Sequence, residues 1–216
     1  METEIINKLF NKLDDWRNLP AYQLERRADI FFSIYLEEII QSKYGKSIKL
    51  VIPEFPVRAG DVVKDHKRPD LSFKIDYLAV SDDNEDVFLI ELKTDQSSRR
   101  AEQDDYLKST QKNQIPMLVD GVIKITKATS SQYEKKYEYL VSKLEQVGWI
   151  EKENSNLKNT AKDYNVIVVY IQPRNDSNSP DTISFKDISH VLNGSDGLTK
   201  RFVESLSLWA EVPAGK

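Results

Sequence analysis

The sequence predicts an α/β fold with a mixed central β-sheet flanked by helices, and three observations carry that reading. Segments of helical period alternate with segments of strand character along the chain instead of being segregated. Two apolar, β-branched runs, VFLIELK at 87–93 and VIVVYIQ at 166–172, have the composition of buried strands. The 216 residues, 39% hydrophobic and 31% charged, are enough for one domain with a proper core.

The first 44 residues read as a helical pair. Ile5, Ile6, Leu9, Phe10, Leu13 and Trp16 recur at helical spacing until Asn18-Leu19-Pro20 breaks the pattern. Leu24, Ala28, Phe31, Phe32, Tyr35, Leu36 and Ile39 form a second stripe that ends at Tyr44-Gly45, a natural place for a C′ glycine. From Lys49 the period changes. Residues 50–55 read as a strand in which Pro53 and Pro56 mark an edge or a bulge, and 59–68 as a polar loop. Residues 71–80 and 87–93 are two strands, and the acidic connection Ser81-Asp82-Asp83-Asn84-Glu85-Asp86 suits a hairpin between them. A helix is expected over 97–111, while the apolar positions of 115–128 fit a short helix and a strand pair equally. Tyr137, Leu140, Val141, Leu144 and Val147 share one face of a helix over 133–147. A buried strand at 166–172, a loop at 175–181, a short strand at 183–185 and a closing helix at 198–210 complete the chain. No repeat, low-complexity tract or long linker interrupts it, so residues 1–216 read as a single domain, with 112–165 a helical insertion.

Composition narrows the chemistry. No apolar run approaches the roughly 18 residues of a membrane span, and METEIINKLF lacks a basic n-region and a small-residue cleavage site, so a cytoplasmic protein without a membrane partner is expected. Zero cysteines exclude disulfides, thiolate zinc and iron–sulfur sites and a cysteine nucleophile. His66 and His190 are too few for a multi-histidine metal site. Any reaction must therefore be run by carboxylates, lysines and hydroxyls.

Such groups converge in the segment from Arg68 to Asp95. In an extended chain Glu91 and Lys93 point the same way, at the end of an apolar strand, and pairing with 71–80 would bring Asp76 near Glu91. Two carboxylates so placed suit a hard cation such as Mg²⁺, and a lysine beside them could orient or help deprotonate an attacking water. Acid-x-Lys triplets also occur at Asp65/Lys67 and Glu134/Lys136, but only Glu91-Leu92-Lys93 ends an apolar strand. The plain alternative is a surface salt bridge at a sheet edge. Three further features favour the site. Glu38 is about 60° from Tyr35 on its helix, a position read as the inward margin of the apolar stripe. Gln103 and Tyr106 follow on the next helix at i and i+3. Arg99 and Arg100 begin that helix, where cations oppose the macrodipole unless a phosphate binds there.

This order of elements, a helix with Glu38, a strand, a strand with Asp76, a strand ending Glu91-Leu92-Lys93 and a helix with Gln103 and Tyr106, resembles the PD-(D/E)XK nuclease superfamily over residues 23–111, with 166–172 as a later core strand. The resemblance implies a restriction-endonuclease-like αβββαβ core. It implies Mg²⁺ or Mn²⁺ held by Asp76 and Glu91, assistance to the attacking water from Lys93, and supporting roles for Glu38 and Gln103, with Tyr106 matching the aromatic after the glutamine in exonuclease-like branches. The literal Pro-Asp dipeptide is Pro69-Asp70, so Asp70 is an alternative metal ligand. Asp76 is preferred because it lies within its strand.

A formal net charge of -4 and a pI near 5.4 are not the footprint of a strong nonspecific DNA binder, so nucleic-acid contact would rest on local cations. Lys67 and Arg68 precede the Asp76 strand, and Arg99 and Arg100 follow Lys93. The expected function is a Mg²⁺-dependent deoxyribonuclease. The alternative is a non-catalytic nuclease-fold accessory or regulatory protein that binds nucleic acid or a protein partner. A homodimer and a partner subunit are both compatible with the sequence.

Overall fold

The computed structural model describes residues 2–63, 66–95, 101–154, 156–176, 181–192, 194 and 196–211. In chain order the elements are α1 (Glu2–Trp16), α2 (Glu25–Tyr44), β1 (Ile48–Arg58), α3 (Ala59–Val62), β2 (Ser72–Ser81), β3 (Asp86–Leu92), α4 (Ala101–Ala128), α5 (Glu134–Gln146), β4 (Ile150–Glu153), β5 (Asn156–Asn159), β6 (Asn165–Gln172), β7 (Thr182–Ser184), α6 (Phe185–Val191) and α7 (Gly197–Trp209). Five strands form a sheet in the order β1-β2-β3-β6-β7. β2 and β3 pair antiparallel and β6 and β7 parallel, so the sheet is mixed, and helices flank it. The α/β class and mixed sheet expected from the sequence are observed. β1, with its two prolines, is an edge strand, and Glu54 beside Pro53 has a positive φ of 51°. None of the described helices is long and apolar enough to cross a membrane.

By contacts the chain divides into two compact units: Met1–Ile48, Glu91–Arg100 and Val169–Lys216 form one, Lys49–Ile90 and Ala101–Val168 the other. The first holds α1, α2, β7, α6 and α7, and its core is aromatic. Phe202 of α7 is fully buried, stacked on Tyr35 at 5.4 Å and edge-on to Phe32 at 5.2 Å. Phe10 of α1 reaches Phe31 at 4.7 Å. Polar clamps tie α1 to α7: Asp14 accepts from the Trp209 indole and from Arg201, and Arg17 donates to the carbonyls of Leu208 and Glu211, serving the unsatisfied end of α7. α2 ends as expected, with Gly45 left-handed at φ 70° and its N–H returned to the Gln41 carbonyl.

The second unit holds the β2–β3 hairpin, in register Val80↔Val87 through Tyr77↔Ile90. Asn84 takes the left-handed position of the turn at φ 58°. The ambiguous 115–128 segment is helical and continues α4 past a break at Gln114 (φ 65°, ψ 165°), just before Pro116. The segment 112–165, expected as a helical insertion, also holds two strands. Ile150–Glu153 and Asn156–Asn159 pair as an antiparallel hairpin. Their solvent side is polar, so the strand period is faint in the sequence. The buried anchor is Trp149, whose indole donates to the Tyr164 hydroxyl at 2.8 Å.

α6 was also missed, being only seven residues long, too short for a period to register. Its start is nonetheless written in the chain as Ser184-x-x-Asp187, a reciprocal capping box. Burial opposes ionisation of Asp187. The Ser184 N–H at 2.9 Å and hydroxyl at 2.7 Å, with Asn175 and the Lys43 charge, outweigh that and hold it below the ordinary carboxylate range. A depressed acid stabilises the fold above its unfolded pKa and loses that contribution as pH falls through the folded value. Asp187→Ala should therefore cost about 1 kcal/mol near neutral pH. In urea denaturation the difference from wild type should shrink towards zero as pH drops below the usual carboxylate range.

Candidate functional site

All seven residues of β3 are buried, and the strand is flanked by β2 and β6 in the sheet order. Lys93, the next residue, continues the ladder by donating its N–H to the Ile171 carbonyl at 2.8 Å. Because side chains alternate along an extended chain, Glu91 and Lys93 emerge on one face. Their charged ends meet, Nζ to Oε2 at 3.2 Å, with side-chain exposures of 5% for Lys93 and 1% for Glu91. The surface-salt-bridge alternative therefore fails: the pair is buried and its strand is internal. A second carboxylate approaches the same ammonium, Glu25 Oε1 at 3.8 Å. Glu25, Glu91 and Lys93 all lie within the first unit.

Glu25 was not singled out from the sequence, and Glu38 was. The buried stripe of α2 is Ala28, Phe32, Tyr35, Leu36, Ile39 and Ile40. At about 100° per residue Glu25 projects near the centre of that stripe, one turn ahead of Ala28. Glu38 projects about 60° beyond Tyr35, outside the stripe, and is exposed. The expectation of an inward Glu38 is corrected for that reason. Glu25 sits in the first turn of α2, where a carboxylate also complements the macrodipole. The signal available in the sequence was this angle, taken from the whole stripe instead of from its edge.

The remaining candidates lie in the second unit or outside the described residues. Asp76 is half-buried on β2, on the side of the strand opposite Ile75 and Tyr77. Asp70 precedes β2, is 89% exposed, and its carboxylate lies 2.5 Å from the Arg58 guanidinium. That bond, followed by the one to Asp61, raises the Arg58 pKa. Asp61 also takes Lys124 at 3.0 Å. Gln103 and Tyr106 are half-buried on α4, and the Tyr106 ring stacks on Phe73 with centroids 4.4 Å apart and planes 5° from parallel. Lys67 and Arg68 are exposed. Arg99 and Arg100 lie outside the described residues.

A separate acidic group, Asp83, Glu85 and Asp86, offers carboxylate oxygens within 4.8 Å of one another at the β2–β3 turn. It could hold a metal ion by spacing. These carboxylates also serve as turn acceptors: Asp83 takes the Ser81 hydroxyl at 2.5 Å and the Glu85 N–H at 3.0 Å, and Asp86 takes the Asn165 amide at 2.6 Å. The Glu91–Lys93–Glu25 cluster differs in being built on a buried pair and in mixing acids with an ammonium.

Comparison with family models, with curated proteins and with solved structures finds no match.

The buried pair generates a stability test that does not depend on function. Lys93→Met takes the Lys93 ammonium away from the buried Glu91 carboxylate, at a cost of about 3–5 kcal/mol, whereas Glu91→Leu combined with Lys93→Met removes both charges and should recover most of the loss. A double-mutant cycle in urea checks this. Additive single-site costs would mean that the two charges do not stabilise each other.

Proposed function

We propose that this chain is a metal-dependent nuclease that hydrolyses DNA phosphodiester bonds. The observation that carries the reading is the burial of Glu91 and Lys93 together at the end of β3, with Glu25 beside the ammonium. Each buried charge costs several kcal/mol in desolvation, and an apolar replacement of similar volume is often as stable or more so. A fold gains little from such a cluster, while a reaction centre needs one.

The donor chemistry fits a hard divalent ion. Glu91 and Glu25 offer carboxylate oxygens, the donor type that a hard cation prefers. Asp76 enters the reading as a further ligand from the sequence pattern of β2, with the Glu91-Leu92-Lys93 strand end that resembles the PD-(D/E)XK superfamily. Mg²⁺ or Mn²⁺, when bound, would supply Lewis-acid polarisation of the phosphodiester and a more acidic water. Lys93 is held in one place by Glu91, so its ammonium is preorganised to orient the attacking water and to meet charge developing on phosphate oxygens. Glu25, less buried than Glu91, is placed to accept a proton or to steady that ammonium as the charge shifts. Lys67 and Arg68 supply exposed cations for the DNA backbone, and Arg99 and Arg100 join them on the sequence alone.

Cleavage of plasmid and linear substrates with Mg²⁺, Mn²⁺ or a chelator tests the proposal. Wild type should cut only with metal, and Glu91→Gln, Lys93→Ala and Asp76→Asn should each lose about a hundredfold or more. Glu25→Gln, at a part-exposed position that tolerates the change, should lose activity with the fold intact by circular dichroism. Metal-dependent cutting that survives at the wild-type level in all four variants would sink the assignment. A wild-type protein that neither cuts nor binds metal would favour the non-catalytic accessory reading.

A further inference from the structure

Beside Lys67 and Arg68, the cations assigned above to the DNA backbone, the second unit carries an aromatic surface to which the proposed hydrolysis gives no part. Phe73 of β2 and Tyr106 of α4 form a nearly parallel stack, and the His66 ring meets Phe73 edge-on at 5.9 Å and 87°. All three residues are half-buried, so each ring keeps part of its surface open. A core stack would be closed on all sides. His66 is tied to the backbone of Arg68, whose N–H donates to Nδ1 at 3.2 Å, so the ring array and the cations at Lys67 and Arg68 belong to one short segment. The base of that segment is clamped: Ala59 N–H donates to the Leu71 carbonyl at 2.7 Å, and Gly60 N–H to the Pro69 carbonyl at 3.0 Å. Gly60 is required there, because a Cβ would stand 2.6 Å from the Pro69 Cβ.

Charge pairing separates these cations from their neighbours. Arg58 is held by Asp61 and Asp70, Lys74 by Glu54 at 2.6 Å, and Lys124 by Asp61. Lys67 and Arg68 have no carboxylate partner among the described residues and are exposed. Phosphate is the anion that such a pair would meet beside open aromatic faces, and the face of an unpaired base is what those rings would stack on. Duplex DNA hides its base faces and offers only groove edges and backbone.

We propose that this surface binds single-stranded nucleic acid: an unpaired base stacks against the Phe73–Tyr106 pair, and Lys67 and Arg68 take the flanking phosphates. The proposal deepens the nuclease reading and rests on it for the choice of ligand, since it names the strand state that the protein would capture.

The test is equilibrium binding in the presence of a chelator, so that no cleavage intervenes. Anisotropy compares a short single strand with a duplex of the same sequence, and a 2-aminopurine in the single strand reports stacking. Wild type should prefer the single strand and quench the 2-aminopurine. Tyr106→Leu and Phe73→Leu should each weaken single-strand binding about tenfold or more, the worth of one base–ring stack, and Tyr106→Trp should retain both affinity and quenching. Lys67→Ala with Arg68→Ala, at exposed positions that leave the fold alone, should weaken binding and lower its salt dependence. Equal or tighter duplex binding overturns the proposal, as do leucine variants that bind and quench like wild type. Metal-dependent duplex cleavage that persists alongside such a failure leaves the nuclease reading standing. Single-strand binding without any cleavage does the reverse.

Discussion

Desolvation of one ion pair is the constraint to which the rest of the candidate site answers. β3 is apolar from Val87 to Ile90 and buried along its length, and it ends in a glutamate and a lysine that are buried as well. Neither charge is tolerable there alone. The strand geometry solves the problem locally: the period of two puts Glu91 and Lys93 on the same face, and a 3.2 Å contact lets each offset the other's lost hydration. The Lys93 backbone, bonded to Ile171, fixes the root of the lysine side chain, so the ammonium has little freedom to leave its partner. A pair held this firmly offers a reaction preorganised charge without requiring any rearrangement when substrate arrives.

How far the sequence could be read follows from which physical signal each element leaves. β3 and β6 were legible because a strand buried on both faces is nearly all apolar and β-branched. α2 was legible because its stripe runs for roughly three to four turns and the helix stops at a glycine. The β4–β5 hairpin was not. Ile150 is the only buried residue in those two strands, so the pairing is paid for by Trp149 and backbone bonds outside the period-two pattern. The candidate site divides in the same way. Glu91 and Lys93 stood out because a charge closing an apolar run is conspicuous. Glu25 did not, since a carboxylate in a first helical turn has an ordinary explanation in the macrodipole, and only the full stripe shows that it faces inward. Glu38 lies about 60° from Tyr35, but on the side away from the stripe, so closeness to one flank residue does not make it inward.

Overall charge misleads about the second unit for a comparable reason. A net charge of -4 sums groups that are mutually silenced. Arg58, Asp61, Asp70 and Lys124 form one network, and Lys158 is shared between Glu151 and Glu153. At distances beyond a Debye length the fields of such paired groups cancel. What an approaching polyanion meets is the remainder, and at the segment before β2 that remainder is positive.

The placement of Glu25 ties the aromatic core of the first unit to the chemistry proposed for it. α2 has no side-chain cap at Leu24, which is itself buried, so the orientation of its first turn is set by packing. That packing runs through Phe32 and Tyr35 onto Phe202, and the Tyr35 hydroxyl reaches Thr199 at 2.8 Å, next to the Asp196 cap of α7. Rotating α2 by a fraction of a turn would carry Glu25 away from Lys93. At 3.8 Å its carboxylate is close enough to feel the ammonium, yet it lies beyond a normal hydrogen bond. The helix N-terminus stabilises its charge independently of the lysine. With about a third of its side chain in contact with solvent, Glu25 keeps more of its hydration than Glu91, which is 1% exposed. In the proposed reaction Glu91, the more deeply buried of the two carboxylates, holds Lys93 in place, and Glu25, part-exposed and 3.8 Å from the ammonium, is placed to meet an entering cation or proton.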